Sequence, residues 1–170
     1  MKPSLAALLV RLSKDYIREN AAVLDPVCGT GVFLVEREMY KPARLLYGID
    51  IFGEAVKAAK ENIAAAGISR KCELINRDFL EFRHQYRFDE IYADMPRITA
   101  GKDSESVERF YMGFLKHCVE LLEKDGHLFV FTHNRNILKR YLSKYGYSVL
   151  EELEISKMEE AYYYIMRHDD

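Results

Sequence analysis

Residues 21–31, AAVLDPVCGTG, run an apolar strand into a glycine turn with a carboxylate at the junction, and a helix-like stretch starts at Val32. Gly29 and Gly31 let the backbone turn sharply and approach a ligand closely, while the N-terminus of the next helix faces the same spot. Strand, glycine turn and helix form the opening of a βαβ unit, and such units assemble into a mostly parallel sheet. The turn therefore commits the first third of the chain to an α/β fold.

The alternation continues. Leu5, Leu8, Leu9, Leu12 and Tyr16 fall at helical spacing behind Ser4, a candidate cap. Strand-like runs are expected at 22–26, 45–50, 72–77, 88–93 and 127–132. Helices are expected at 32–40, at 54–66 with Gly67 as the cap, and over Val107, Phe110, Tyr111, Phe114, Cys118 and Leu121. After a helix at 136–144 the rhythm breaks. Two strand-like runs, 147–155 and 161–166, are separated only by a short polar turn, and strands joined so closely are antiparallel. With 170 residues and 49% hydrophobic content, one domain spanning 1–170 is expected.

A formal net charge of −2 excludes a generic polyanion binder, so any nucleic-acid contact is a local patch. Cys28, Cys72 and Cys118 lie far apart, outside any C-x-x-C pair, which argues for reduced thiols in the cytoplasm and against a disulfide frame or a metal site. The apolar run at 5–10 is stopped by Arg11, too short for a signal peptide or membrane span.

In an open parallel sheet, ligands bind beyond the carboxyl ends of the strands where the strand order reverses. Acids stand at each of these ends: Asp25, Asp50, Asp78 and Asp94. Together with the glycine turn they resemble class I S-adenosylmethionine-dependent methyltransferases, in the D-P-x-C-G-[ST]-G form of the amino-group methylases of nucleic acids. The terminal hairpin agrees with that fold and not with the dinucleotide-binding dehydrogenases. The resemblance implies a three-layer, Rossmann-like α/β architecture. Its seven-stranded, mostly parallel sheet has the order 3-2-1-4-5-7-6 and ends in a C-terminal antiparallel hairpin. It also implies S-adenosyl-L-methionine as cofactor. Asp25, Pro26, Cys28, Gly29, Thr30 and Gly31 fall at the methionine portion, Asp50 at the ribose hydroxyls, Ile51 over an adenine face, and Asp78 and Phe79 at the adenine amino group and ring. A carboxylate suits a vicinal diol, and negative groups suit a sulfonium. Cys28 carries a second reading, as a small residue filling a tight turn, and no nucleophilic role is assigned to it.

Residues 94–98, DMPRI, stand where exocyclic-amine methylases carry [DN]-P-P-[YFW], often followed by Gly. In such enzymes the Asp or Asn side chain and the next backbone carbonyl accept both N–H bonds of the target amine, which favours a pyramidal nitrogen aimed at the methyl group. Asp94, Met95 and Pro96 are the corresponding catalytic candidates, with Asp94 also touching the cofactor. Arg97 and Ile98 depart from the pattern. A guanidinium can stack on a base or meet a phosphate in place of the missing aromatic, with Phe110, Tyr111 or His133 as further stacking candidates. The departure leaves two readings, a base held differently or a site that no longer catalyses.

The D-M-P form, and KPSLAA at 2–7, are similar to the methylase part of the THUMP-linked tRNA guanosine-N2 methyltransferases within the putative RNA methylase family. The resemblance implies an RNA substrate, tRNA or rRNA, captured through a separate N-terminal domain or a partner protein, and no metal. Candidate substrate contacts are Arg97, Lys102 and Arg135, with Arg109, Lys139, Arg140 and Lys144 nearby in sequence. The competing readings are a DNA adenine-N6 or protein glutamine-N5 methyltransferase, or a non-catalytic S-adenosylmethionine-binding partner subunit.

Overall fold

The protein is described by a computed structural model that covers residues 1–98 and 104–169. Along the chain run α1 (Pro3–Leu12), β1 (Ala22–Asp25), α2 (Val32–Tyr40), β2 (Leu45–Asp50), α3 (Gly53–Ala65), β3 (Cys72–Asn76) and β4 (Phe88–Asp94). Then follow α4 (Ser104–Leu121), β5 (Leu122–Thr132), α5 (Arg135–Leu142), β6 (Tyr147–Ser156) and β7 (Ala161–His168). Short 3₁₀ turns, absent from the sequence expectations, occupy Ser69–Lys71, Phe79–Glu81 and Ser143–Tyr145.

The strands form one seven-stranded sheet in the order β3-β2-β1-β4-β5-β7-β6. β1 to β5 pair in parallel, and β7 runs antiparallel to both β5 and β6. This is the expected three-layer order with its terminal hairpin. Parallel strands buried on both faces read as unbroken apolar runs, and here successive residues feed opposite cores. Leu24, Ile91, Val130 and Tyr164 join the side covered by α4 and α5. Val23, Tyr92, Phe129 and Tyr163 join the side covered by α1 and α2. The edge strand β6 carries Glu151, Glu152 and Glu154, charges that discourage pairing with another chain.

Helix α1 differs from its expected form. Pro3 occupies the first helical turn, where its missing N–H costs nothing, and Ser4 makes no cap. The buried residues are Ala6, Leu9 and Val10, while Leu8 and Leu12 are 45% and 39% exposed. The stripe is rotated because Ser13 Oγ, just past the helix, is held 2.8 Å from the buried Tyr163 hydroxyl, and the small Ala6 side chain faces the core.

A second feature invisible to periodicity lies under α2. Arg37 and Glu90 are both fully buried and form a bidentate pair at 2.6 and 2.8 Å. The remaining guanidinium donors reach the Arg18 carbonyl at 2.9 Å and the Lys41 carbonyl. Glu90 also accepts from the Arg18 amide at 2.9 Å and the Tyr92 hydroxyl at 3.2 Å. Every polar atom of the pair is engaged, which makes a buried charge tolerable.

Candidate cofactor and amine site

The carboxyl ends of β1, β2 and β4 open on a cavity of about 370 Å³. The sharp turn after β1 places Gly29 and Gly31 at φ of +51° and +77°, a region that costs most other residues about 1–2 kcal/mol. At Gly31 a Cβ would also stand 3.3 Å from the Ala59 side chain, so the turn packs closely on α3. Asp50 ties β2 to this turn. Its Oδ2 accepts the Gly29 amide at 2.8 Å and its Oδ1 the Phe52 amide at 2.9 Å, which aims the carboxylate along the cavity edge.

Three carboxylates sense one another here. Asp25 is 2% exposed and accepts the Val27 amide at 3.2 Å; burial pushes its carboxyl well above the usual range, and the nearby Asp94 and Asp50 add to that. Burial also raises Asp94, partly offset by the first residue's amino nitrogen at 3.7 Å and by His133. Such a cluster disfavours a bound anion and favours a cationic group. Asp78 caps the Phe79–Glu81 turn through the Leu80 amide at 2.9 Å and lines the cavity. Phe79 is braced from behind by His117, with ring centroids 4.9 Å apart, and by Phe114 at 5.7 Å. At the rim Ile51 and Phe52 are 58% and 69% exposed, large apolar groups that a flat ligand would cover.

The sequence candidates divide three ways. Pro26, Asp50, Ile51, Asp78, Phe79, Asp94 and Pro96 line the cavity directly. Asp25, Cys28, Gly29, Thr30 and Gly31 build the turn behind it. Cys28 is buried, its thiol driven upward by burial and by Asp25 and Asp50, which leaves it a filler of the turn. Phe110, a candidate stacking residue, also lines the cavity, as do Val27, Phe52 and Val107, which the sequence reading did not select. Val107 carried a signal, the apolar stripe of α4, that was read as core alone.

At β4, Met95 continues the ladder through its amide to the Phe131 carbonyl at 2.9 Å and is itself 2% exposed. Among the described residues no backbone N–H donates to the Met95 carbonyl. Arg97 and Ile98 follow as exposed residues. Tyr111, a candidate stacking residue, is fully buried and used through its hydroxyl, so it offers no ring face to a base.

The basic candidates are largely neutralised. Arg135 and Lys139 share Glu152 at 2.7 and 2.6 Å, and Arg140 meets Glu108 at 2.6 Å. The Arg135 guanidinium also lies 4.8 Å from the Tyr162 ring centroid. Lys102 lies outside the described residues. Among the described residues no cluster of His, Cys, Asp or Glu is arranged to hold a metal, and no helix is long and apolar enough to cross a membrane.

The family model for the RMKL-like methyltransferase domain, UPF0020, matches residues 1–159. The chain belongs to this family. The chain is 32% identical over 127 residues to the tRNA (guanine(10)-N2)-dimethyltransferase of Methanothermobacter thermautotrophicus, covering 74% of the chain and 36% of that relative. It is 28% identical over 113 residues to the tRNA1(Val) (adenine(37)-N6)-methyltransferase of Vibrio campbellii, covering 61% of the chain and 47% of the relative. The U6 snRNA (guanine-N(2))-methyltransferase of Bos taurus is 33% identical over 91 residues, 51% of the chain and 18% of that protein. The chain thus spans less than half of each of these relatives. Among solved structures, TrmN from Thermus thermophilus aligns over 99% of the chain and 49% of its own, with a TM-score of 0.84 at 23% identity. SMU.472, a putative methyltransferase complexed with SAH, aligns over 99% of the chain and 53% of its own, with a TM-score of 0.79 at 16% identity. At such identities these structures speak for the shared methyltransferase fold.

Proposed function

We propose that this RMKL-like domain is an S-adenosylmethionine-dependent methyltransferase acting on an exocyclic amine of an RNA base, guanosine N2 in tRNA or rRNA being the preferred target. The observation that carries it is one cavity lined by Asp50, Asp78 and Asp94, with the buried Asp25 behind its glycine turn and the Met95 carbonyl next along the chain from Asp94. Three relatives with different named targets share one chemistry, methylation of a purine amine in RNA.

The residues fit the cofactor. Asp50 would hold the ribose diol, Asp78 the adenine amino group with Phe79 and Ile51 against the ring, and the Asp25–Gly31 turn the methionine end. When bound, S-adenosylmethionine supplies the methyl group as an electrophile. The chain's own residues do the rest. Asp94 and the Met95 carbonyl would accept hydrogen bonds from the two N–H groups of the amine and turn its lone pair toward the electrophilic methyl; the Asp94 carboxylate would offset the positive charge that develops on nitrogen and take up the proton it releases. Pro96 stiffens the loop that presents both groups. Reaching the site requires the base to leave its stack. Arg97, exposed next to Pro96 in the chain, is the candidate to stack on that base or meet its phosphate, with Lys102 and Arg135 as further candidate contacts to the nucleic-acid backbone.

Radiolabelled methyl transfer to RNA from cells lacking the protein, followed by nucleoside analysis, tests this reading. The expected product is an N2-methylated guanosine, with Asp94→Ala slower by roughly 10²–10³-fold. An unchanged rate in that variant sinks the catalytic assignment. Label in DNA or protein instead of RNA moves the substrate, and cofactor binding without any transfer leaves a non-catalytic subunit.

A further inference from the structure

Among the described residues, the loop that follows Asp94 is held by side chains at the Pro96 carbonyl. β4 ends at Asp94, the Met95 amide makes the final backbone bond to β5, and Pro96 has no N–H to offer. What remains is the Pro96 carbonyl, and two side chains converge on it. Asn134 Nδ2 donates to it at 2.9 Å and the Tyr111 hydroxyl at 3.3 Å.

The two donors are themselves locked together. Asn134 Nδ2 also reaches the Tyr111 hydroxyl at 3.1 Å, and Thr132 Oγ1 lies 2.7 Å from that hydroxyl while accepting the Asn134 amide at 2.9 Å. The protons can be assigned once each. Asn134 gives one amide proton to Pro96 and one to Tyr111, Thr132 gives its hydroxyl proton to Tyr111, and Tyr111 gives its own to Pro96. Tyr111 and Thr132 are fully buried, so the bracket is rooted in the core at α4 and β5.

Asn134 also stands at the N-cap of α5. There an Asn side chain ordinarily accepts an N–H from the first turn and adds about 1 kcal/mol of helix stability. Here it makes no cap bond; it is turned toward Pro96 instead. A residue that forgoes its local role for a contact 38 positions away is serving that contact.

We infer that Asn134 is the positioning residue of the amine-binding loop, fixing through Pro96 the direction of the Met95 carbonyl. The inference rests on the amine-methyltransferase reading. Asn134→Asp is the informative variant: it is isosteric and as good an N-cap, yet it loses both N–H donors and sets a carboxylate against a carbonyl. With RNA from cells lacking the protein and radiolabelled S-adenosylmethionine, its saturating rate is expected to fall about 10–100-fold, the scale of a misaligned reacting group. Cofactor affinity by calorimetry is expected to hold within about twofold, and Tm within about 3 °C. Tyr111→Phe, alone and combined with Asn134→Asp, is expected to give a joint loss smaller than the product of the single losses, because both act through one carbonyl. Hydrogen exchange at the Met95 amide is expected to speed up at least about tenfold in Asn134→Asp. That readout needs no activity, so it judges the bracket even if wild-type protein labels no RNA, a result that rejects the function and not the bracket. Wild-type Met95 protection in Asn134→Asp overturns the inference. So does a rate loss matched by an equal loss of cofactor affinity or by a collapse of Tm.

Discussion

Replacing Arg37 by Met keeps the length of the side chain and removes its charge, leaving the Glu90 carboxylate buried with only the Arg18 amide and the Tyr92 hydroxyl as donors. Both partners are fully buried, so solvent screening offers no relief. Breaking a buried pair from one side costs about 3–5 kcal/mol. For a chain of this size each kcal/mol lowers Tm by roughly 2–4 °C, so Arg37→Met should melt about 6–20 °C below wild type. Adding Glu90→Gln removes the stranded charge while keeping an acceptor for the Arg18 amide. The double variant should then recover at least about half of the loss, roughly 1.5–2.5 kcal/mol relative to Arg37→Met. Urea titration and thermal circular dichroism on the four proteins of the cycle measure it. A double variant no more stable than Arg37→Met would refute the reasoning.

Two further outcomes concern the acids. Asp50→Ala should weaken S-adenosylmethionine binding about 10–100-fold in calorimetry, the loss of hydrogen bonds to a charged acceptor; an unchanged affinity rejects the ribose role. Asp25 has its folded carboxyl raised by burial, so its contribution to stability is intact below the unfolded value of 3.8 and is lost as pH rises through the higher folded value. Asp25→Asn should therefore be more stable than wild type near pH 7 and about equal to it near pH 4; a Tm difference independent of pH contradicts this.

The sheet was legible because its strands are short apolar runs with acids at their carboxyl ends, and the antiparallel finish because two such runs at 147–155 and 161–166 leave no room for a crossover. The cavity was legible for the same reason, since Asp50 and Asp78 sit at strand ends that the topology must bring together. What periodicity could not show was which polar groups meet inside. Arg37 reads in sequence as one more charge on a surface helix, yet it is buried against a residue 53 positions later. Asn134 stood outside every sequence expectation, and its side chain donates to the Pro96 carbonyl instead of capping α5. The basic residues of α5 look like a phosphate patch until Glu108 and Glu152, from other elements, are found beside them. The rotation of α1 was likewise hidden, because a stripe of leucines fixes the period of a helix and not its phase.

β1 and β4 share register only over Val23↔Glu90 and Leu24↔Ile91, the shortest pairing in the sheet. On one side of that joint stand the strands whose ends present Asp25, Asp50 and Asp78; on the other, those that present Asp94 and Met95. The two sets of strand ends are therefore joined through a pairing two residues long. Glu90 lies in that joint, clamped by Arg37 from α2, the helix that grows from the glycine turn. That ion pair fastens the helix grown from the glycine turn to the strand that carries Asp94, so the two halves of the crevice are tied by a side-chain contact as well as by the sheet.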